Sequence, residues 1–448
     1  MAVHPDPNDM AATRALVRRA FDAACAAGHP SGVTRDAMAR LQTAPTAVIA
    51  VGKAAAAMAS AVRDTGCDAP GIIVTTDESL ADSGLVLPSG MTVFAAAHPV
   101  PDRRGIIAGE AVMDLVDGLG AHDHLLLLIS GGGSALLPAP AEGMSLANKQ
   151  ELNEVLLASG LDIHEMNVVR RLVSRLKGGR LARRAAPARI TQFLLSDVPG
   201  DRFESIASGP AVPDPVPLET ALELVRTTGL NNLGFMKDQL VRIEAGTADL
   251  PLRAENSRAD AVTTHLLASN TICRTAARDV LRGAFGGLHE VSLPDLAGEA
   301  AFCAADLARI LMNAQGDGPL WAVTGGETTV QLGDRPGKGG RAQEMGVAFA
   351  LAMEQGANSL VEGWTALIGG TDGRDGPTDA AGALVSAGAG FDQVAARAAL
   401  AAHDCHPYLE ARQALLRVPP TGTNLGDIGI FVLAGWSGHG GNHEEQRS

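Results

Sequence analysis

The chain is poor in aromatic residues: one tyrosine (Tyr408), three tryptophans and an aromatic content of 3%. Proteins that read nucleic acid stack bases on aromatic rings and line the backbone path with basic residues. Here the formal net charge is −14, so no nucleic-acid partner is expected. Cysteine is scarce as well. Cys25, Cys67, Cys273, Cys303 and Cys405 are odd in number and show no CxxC or CxxH spacing, which argues against a disulfide framework and a zinc site and reads as reduced thiols of a cytoplasmic protein. Long apolar runs are missing. Leu125 to Ile129 is far too short to span a bilayer, and Met1 to Met10, with two prolines and two aspartates, does not resemble a signal peptide, so no membrane partner is expected.

What the chain does have is small apolar residues and glycine. It is 448 residues long, 46% hydrophobic and only 19% charged, with 52 glycines, enough for two or three buried cores. Short apolar runs alternate with helical stretches, and several runs end in a loop of special composition. Ala47 to Val51 feeds Gly52-Lys53. Met91 to Ala96 feeds His98-Pro99-Val100-Pro101-Asp102, and Leu125 to Ile129 feeds Ser130-Gly131-Gly132-Gly133-Ser134. Ile190 to Leu195 feeds Ser196-Asp197. This rhythm predicts an α/β fold with a Rossmann-like, doubly wound parallel sheet, whose ligands collect at the carboxyl ends of the strands. The polar stretch Ala245 to Asp260 reads as a boundary, giving an N-terminal domain over 1–245 and a C-terminal α/β domain with glycine-rich loops over 246–448.

In the second part, His265 to Ser269 and His289 to Leu293 read as strands, and Leu320 to Val323 leads into Gly325-Gly326-Glu327. The loop Gly333 to Gly340 precedes Arg341 and a helix. Trp364 to Ile368 runs into the string from Gly369 to Gly382, which holds Thr371, Asp372 and Asp375. The loop Pro420 to Asp427, with Asn424, precedes a closing strand over Ile428 to Leu433.

Consecutive glycines let backbone N–H groups crowd one point, so Gly131 to Gly133, flanked by Ser130 and Ser134, is either an anion cradle or a plain strand-to-helix turn. The stretch after the Asp162/Glu165 capping box carries Arg170, Arg171, Arg175, Lys177, Arg180, Arg183 and Arg184 with no acid among them. It is either a solvated basic helix face or an anion funnel, with Gly178-Gly179 allowing close backbone approach.

Lys53, Lys177, Lys338 and Arg341 supply cations, and Asp197, Glu327, Asp372 and Asp375 supply carboxylates. Phosphoryl transfer uses such a set: backbone donors and cations on the phosphates, a metal on their oxygens and a carboxylate for the proton of the attacking hydroxyl. Asp197 and Asp372 are the candidate metal ligands. Ser134 is followed by Ala135 and Leu136, which excludes a GxSxG elbow, and Leu136 occupies the last glycine position of a GxGxxG loop. Gly52-Lys53 is not a Walker loop, since Ala54 follows the lysine. His98 between Ala97 and Pro99 reads as a structural loop histidine rather than a base.

Taken together, GKAAAAMA (Gly52 to Ala59), HPVPD (His98 to Asp102), ISGGGSALLP (Ile129 to Pro138), SRLKGGRLA (Ser174 to Ala182), LSDVPGD (Leu195 to Asp201), IASGP (Ile206 to Pro210), GKGGRAQE (Gly337 to Glu344), GGTDGRDGPTDAAGA (Gly369 to Ala383) and PTGTN (Pro420 to Asn424) resemble the class II glycerate 2-kinase family, also carried under the name hydroxypyruvate reductase of tartrate metabolism. The resemblance spans almost the whole chain. It implies ATP- and Mg²⁺-dependent phosphorylation of the 2-hydroxyl of D-glycerate, and two α/β domains with the active site in the cleft between them. It places the family's catalytic lysine, aspartate and arginine on Lys53, Asp197 and Arg341. We read Lys53 as acting on the transferring phosphate, Asp197 as base or metal ligand, and Arg341 on the glycerate carboxylate or phosphate. Ala342 departs from the pattern, as many members have asparagine there. An NAD(P)H-dependent hydroxypyruvate reductase is the alternative, against which stand the missing glycine and the lack of a strand-end acid. A non-catalytic sugar-acid or nucleotide binding module is a third reading, which leaves the charged loops unexplained. No motif marks the adenine loop or the oligomeric state, a homodimer included.

Overall fold

The computed structural model describes residues 9–83, 87–256, 261–285, 290–314, 319–333, 336–356, 363–388 and 390–434. The chain forms two compact units, Pro30–Ser269 and Met1–His29 with Asn270–Ser448. The division falls at 269/270 instead of 245/246. The stretch Val262–Ser269 is still a strand of the first sheet, and the polar residues before it only lead into that strand; positions 257–260 of that stretch lie outside the described residues.

In the Pro30–Ser269 unit six strands form one sheet: β1 (Ala47–Val51), β2 (Gly71–Thr75), β3 (Met91–Ala95), β4 (His124–Ile129), β5 (Arg189–Ser196) and β6 (Val262–Ser269). Their order is β3-β2-β1-β4-β5-β6 and every pairing is parallel. A parallel sheet is covered on both faces, so its central strands read as continuous apolar runs. All residues of β1 and β4 are buried, as the run Leu125 to Ile129 predicts. The order reverses between β1 and β4, which makes the loops after these two strands the walls of the crevice where doubly wound sheets bind ligands. The loop His98 to Asp102 ends in a helix cap: Asp102 accepts from Gly105 N–H and starts the helix Arg103–Asp117. The Asp162/Glu165 capping box is formed as read.

The other unit holds β7 (Leu320–Gly326), β8 (Trp364–Gly370), β9 (Gly382–Ser386), β10 (Leu415–Leu416) and β11 (Asp427–Leu433) in the order β10-β9-β8-β11-β7, all neighbours antiparallel. β11 inserts between β7 and β8, so the chain's last described strand completes the sheet centre. The N-terminal helix Met10–Ala27 packs on β8 and β11, which is why residues before 30 belong with the C-terminal half. At its end a Cβ on Gly28 would lie 2.6 Å from Leu425 and 2.9 Å from the Cys273 sulfur, so only glycine lets the helix dock there. Two short strands, β9 and β10, are additions to the sequence reading. The run expected over His289 to Leu293 is only a single bridge from Glu290 to Trp321, and His289 lies outside the described residues, as do 334–335 of the loop before Arg341.

Candidate active site

The glycine loop after β4 is fitted against the loop after β1. Gly52 has φ +126°, and a Cβ there would lie 2.2 Å from Ser130 Oγ and 2.5 Å from Ser130 O. The missing side chain lets Lys53 N–H donate to Gly131 O at 2.9 Å and Ala54 N–H donate to Ser130 Oγ at 3.1 Å. Gly132 adopts φ +83°, in the left-handed region where glycine carries no penalty. A Cβ on Gly132 would sit 3.2 Å from the His98 ring and 3.4 Å from Lys53 Cγ, and one on Gly131 would sit 2.2 Å from Asp197 Oδ2. Lys53, His98 and Asp197 therefore converge on the bare backbone of Gly131 and Gly132. All three side chains are exposed, as a site open to ligand requires. Burial, and then the Lys53 charge, push the His98 pKa below the ordinary value, leaving a neutral imidazole at pH 7 beside the lysine.

The far end of the loop is held from inside. Lys177, 2% exposed, donates to Ser134 O at 2.8 Å and to Ser134 Oγ at 2.5 Å, and Ser134 Oγ lies 3.0 Å from Ser208 Oγ. Burial, with Lys149 and Arg170 adding repulsion, lowers the Lys177 pKa well below the usual lysine value. The basic stretch around it is not a solvated face. Arg171 pairs with buried Asp214 at 3.0 Å, and fully buried Arg180 donates to the carbonyls of Arg171, Lys177 and Asp249. The stretch is two helices, Ile163–Leu172 and Arg180–Ala185, with Gly178 and Gly179 at φ +60° and +77° between them.

In the other unit Arg341, first residue of the helix Arg341–Gly356, binds Asp427 through Nε at 2.7 Å and Nη2 at 3.1 Å and pairs with Glu327. Burial opposes its charge, but the two carboxylates raise its pKa above the ordinary arginine value. Burial also pushes the Asp427 and Asp372 carboxyls up, against the pull of Arg341 on both. Asp427 was named only as the end of a loop; its burial at the start of β11 could not be read from the residue itself.

Several candidates have structural posts. Asp375, buried, accepts from Ala342 N–H at 3.0 Å and Gln343 N–H at 2.8 Å and so caps the Arg341 helix. The Ala342 side chain, where an asparagine was anticipated, is fully buried. Thr371 locks β8 to the Pro420 loop by donating to Gly426 O and accepting from Leu425 N–H. Gly325 and Gly326 pair with Ile428 and Asp427 of β11 inside the sheet. Asn424 is exposed, and Lys338 lies 3.9 Å from Asp379. The structure thus gathers Lys53, Ser130 to Ser134, Lys177 and Asp197 about one loop and Arg341, Glu327 and Asp372 about Asp427.

The sheet order speaks against a dinucleotide site. In a sheet of this order the phosphate fingerprint belongs after β1, where the chain has a single glycine followed by Lys53 and four alanines. An acid does follow β2, contrary to the expectation of none, but Asp77 pairs with Arg104 at 2.6 Å. Among the described residues no helix is long and apolar enough to cross a membrane.

Residues 16–238 match a family described as a domain of unknown function (DUF4147), and residues 320–427 match the MOFRL family. A protein of Agrobacterium vitis carrying the provisional name hydroxypyruvate reductase is 38% identical over 95% of both chains. D-glycerate 2-kinase of Thermotoga maritima is 34% identical over 93% of this chain and 97% of its own. The crystal structure of a glycerate kinase from Thermotoga maritima superposes with a TM-score of 0.81 at 31% identity, covering 95% of this chain and all of the other. On the strength of these matches along nearly its whole length, the chain belongs to the glycerate kinase family.

Proposed function

We propose that this chain is a D-glycerate 2-kinase that moves the terminal phosphoryl group of ATP to the 2-hydroxyl of D-glycerate. The observation that carries the reading is the convergence of Lys53 and Asp197 on the Gly131 and Gly132 backbone at the switch point of the parallel sheet. Bare N–H groups and a lysine suit phosphate oxygens whose negative charge spreads during transfer, and a neighbouring carboxylate suits the proton of the attacking hydroxyl. We assign Lys53 to the transferring phosphate and Asp197 to that proton. Arg341, held by Asp427 and Glu327, is assigned to the glycerate carboxylate or a phosphate.

Mg²⁺ takes oxygen ligands, keeps several waters and is usually held by one or two carboxylates together with substrate phosphates. The residues fit that requirement. Asp197 presents its carboxylate to the glycine loop, which with substrate phosphates and water would suffice, and no cage of three ligands is found among the described residues. When bound, the ion would neutralise phosphate charge. The five thiols, none in a disulfide, accord with a reducing cytoplasm.

The reading is tested with purified protein, D-glycerate and Mg-ATP in a coupled ADP-release assay, run beside hydroxypyruvate with NADH and NADPH. ADP release that depends on glycerate is the expected result; nicotinamide oxidation without it overturns the kinase. Lys53→Ala should abolish turnover while leaving the unfolding midpoint unchanged, and full activity would remove Lys53 from the reaction.

A further inference from the structure

Three basic side chains lie behind the glycine loop without a carboxylate partner among the described residues. Lys149, in the first turn of the helix Leu146–Ala158, is 3% exposed and Lys177 is 2% exposed. Arg170 is near enough to repel both, and Lys149 repels Lys177. The polar partners of Arg170 and Lys177 are neutral. Arg170 Nε and Nη1 donate to Asn153 Oδ1 at 3.2 Å and Asn167 Oδ1 at 3.3 Å, and Lys177 donates to Ser134. Among the described residues none of the three has a carboxylate partner. Other buried arginines of the same unit are balanced, Arg171 by Asp214 at 3.0 Å and Arg180 by Asp249 at 3.6 Å. Buried charge persists in proteins when it is paired, so a cluster of three basic side chains without a carboxylate partner, beside a candidate active-site loop, is built for an anion that arrives from outside.

We propose that Lys149, Lys177 and Arg170, fronted by the Ser134 hydroxyl, form the pocket for the carboxylate of the hydroxy-acid substrate. The proposal rests on the kinase assignment. The site suits a small carboxylate better than a polyphosphate: the lysines are almost wholly enclosed, while Lys53 and the bare glycine N–H groups stand on the open side. Ser134 is half-buried and joins the two regions. Lys177 bonds both its carbonyl and its hydroxyl, and Ser208, itself 3.4 Å from Asn167 Oδ1, steadies the hydroxyl from the other side. A substrate anchored there by its carboxylate has its 2-hydroxyl one carbon away, and Ser134 closes the loop whose Gly131 faces Asp197.

The test uses the full chain and Lys149→Met, which keeps the length and volume of the side chain without its charge. The expected result is a rise of about tenfold or more in KM for D-glycerate, with KM for ATP within about twofold, because the lost contact is to one substrate only. D-glycerate alone should raise the thermal midpoint of the wild-type protein and fail to raise that of Lys149→Met, while Mg-ATP alone shifts both equally. Lys149→Arg should recover part of the glycerate effect. A rise confined to KM for ATP would overturn the proposal in favour of a polyphosphate site, and unchanged constants for both substrates would make the cluster purely structural. Should Lys149→Met fail to fold, Lys149→Gln gives the same readings. If the wild-type protein releases no ADP with glycerate, the kinase assignment fails by itself. The carboxylate pocket then still stands or falls on whether lactate or glycerate shifts the wild-type midpoint and not that of the variant.

Discussion

Gly131→Ala separates the chemistry of the glycine loop from its folding. Gly131 is not among the residues with positive φ, so alanine suits its backbone. The added Cβ would stand 2.2 Å from Asp197 Oδ2 and 2.9 Å from Asp197 Cγ, where an ordinary contact needs more than 3 Å. The carboxylate must therefore withdraw by about 1 Å. Asp197 is exposed at the end of β5, and a strained side-chain torsion costs about 1 kcal/mol. Misplacing a reacting group by about 1 Å reduces turnover by roughly 10²-fold. We expect glycerate-dependent ADP release to fall by about that factor while the urea midpoint barely moves. Gly131→Ala combined with Asp197→Asn should be no slower than Asp197→Asn alone, since both changes act through the same carboxylate. Turnover within about threefold of wild type would refute the placement of Asp197 at the reacting centre. Gly132→Ala is the contrasting case. Its φ of +83° adds backbone strain on the order of 1 kcal/mol, and its Cβ crowds the His98 ring, so stability and activity should fall together.

Removing the buried partner of Arg341 should be felt in both stability and turnover. Asp427→Asn leaves exposed Glu327 as the ion-pair partner of the guanidinium, and breaking one side of a buried pair costs about 3 kcal/mol, readable as a lower denaturation midpoint. A midpoint equal to wild type would show that the pair does not hold the helix start. The third prediction concerns pH. Burial, with Arg170 adding to it, lowers the Lys149 pKa from 10.5 to about 8 in the folded state. A lysine with a depressed folded pKa favours folding above its unfolded pKa, and that contribution is lost as pH falls through the folded one. Between about pH 10.5 and 8 this group should withdraw roughly 3 kcal/mol from the wild-type unfolding free energy, and Lys149→Met should lack that slope. Parallel stability curves for the two proteins at pH 8 and pH 10 would refute the buried charge.

How much of this was legible in the sequence follows from the range of the forces involved. The runs Ala47 to Val51 and Leu125 to Ile129 announce themselves because a strand covered on both faces tolerates only apolar side chains, and that constraint is local. The loops after them were legible through their own backbone: Gly52 and Gly132 have φ of +126° and +83°, which favour glycine whatever packs against them. The second sheet was not, because its antiparallel order depends on β11 entering between β7 and β8 from more than fifty residues away. The site divides along the same line. Lys53 and Asp197 sit at strand ends, where position in the sheet and residue type coincide. Asp375 and Thr371 have equally suggestive neighbours in sequence, but the helix N–H groups at 342 and 343 and the Gly426 carbonyl claim them, and those partners are 32 to 55 positions distant. The basic stretch from Arg170 to Arg184 was ambiguous for a further reason. Charge in a sequence does not say whether it is answered: Arg171 and Arg180 find Asp214 and Asp249, while Lys149, Arg170 and Lys177 find none among the described residues. Only the folded chain separates answered from unanswered charge, and it is the unanswered group that lies against Ser134 and the glycine loop.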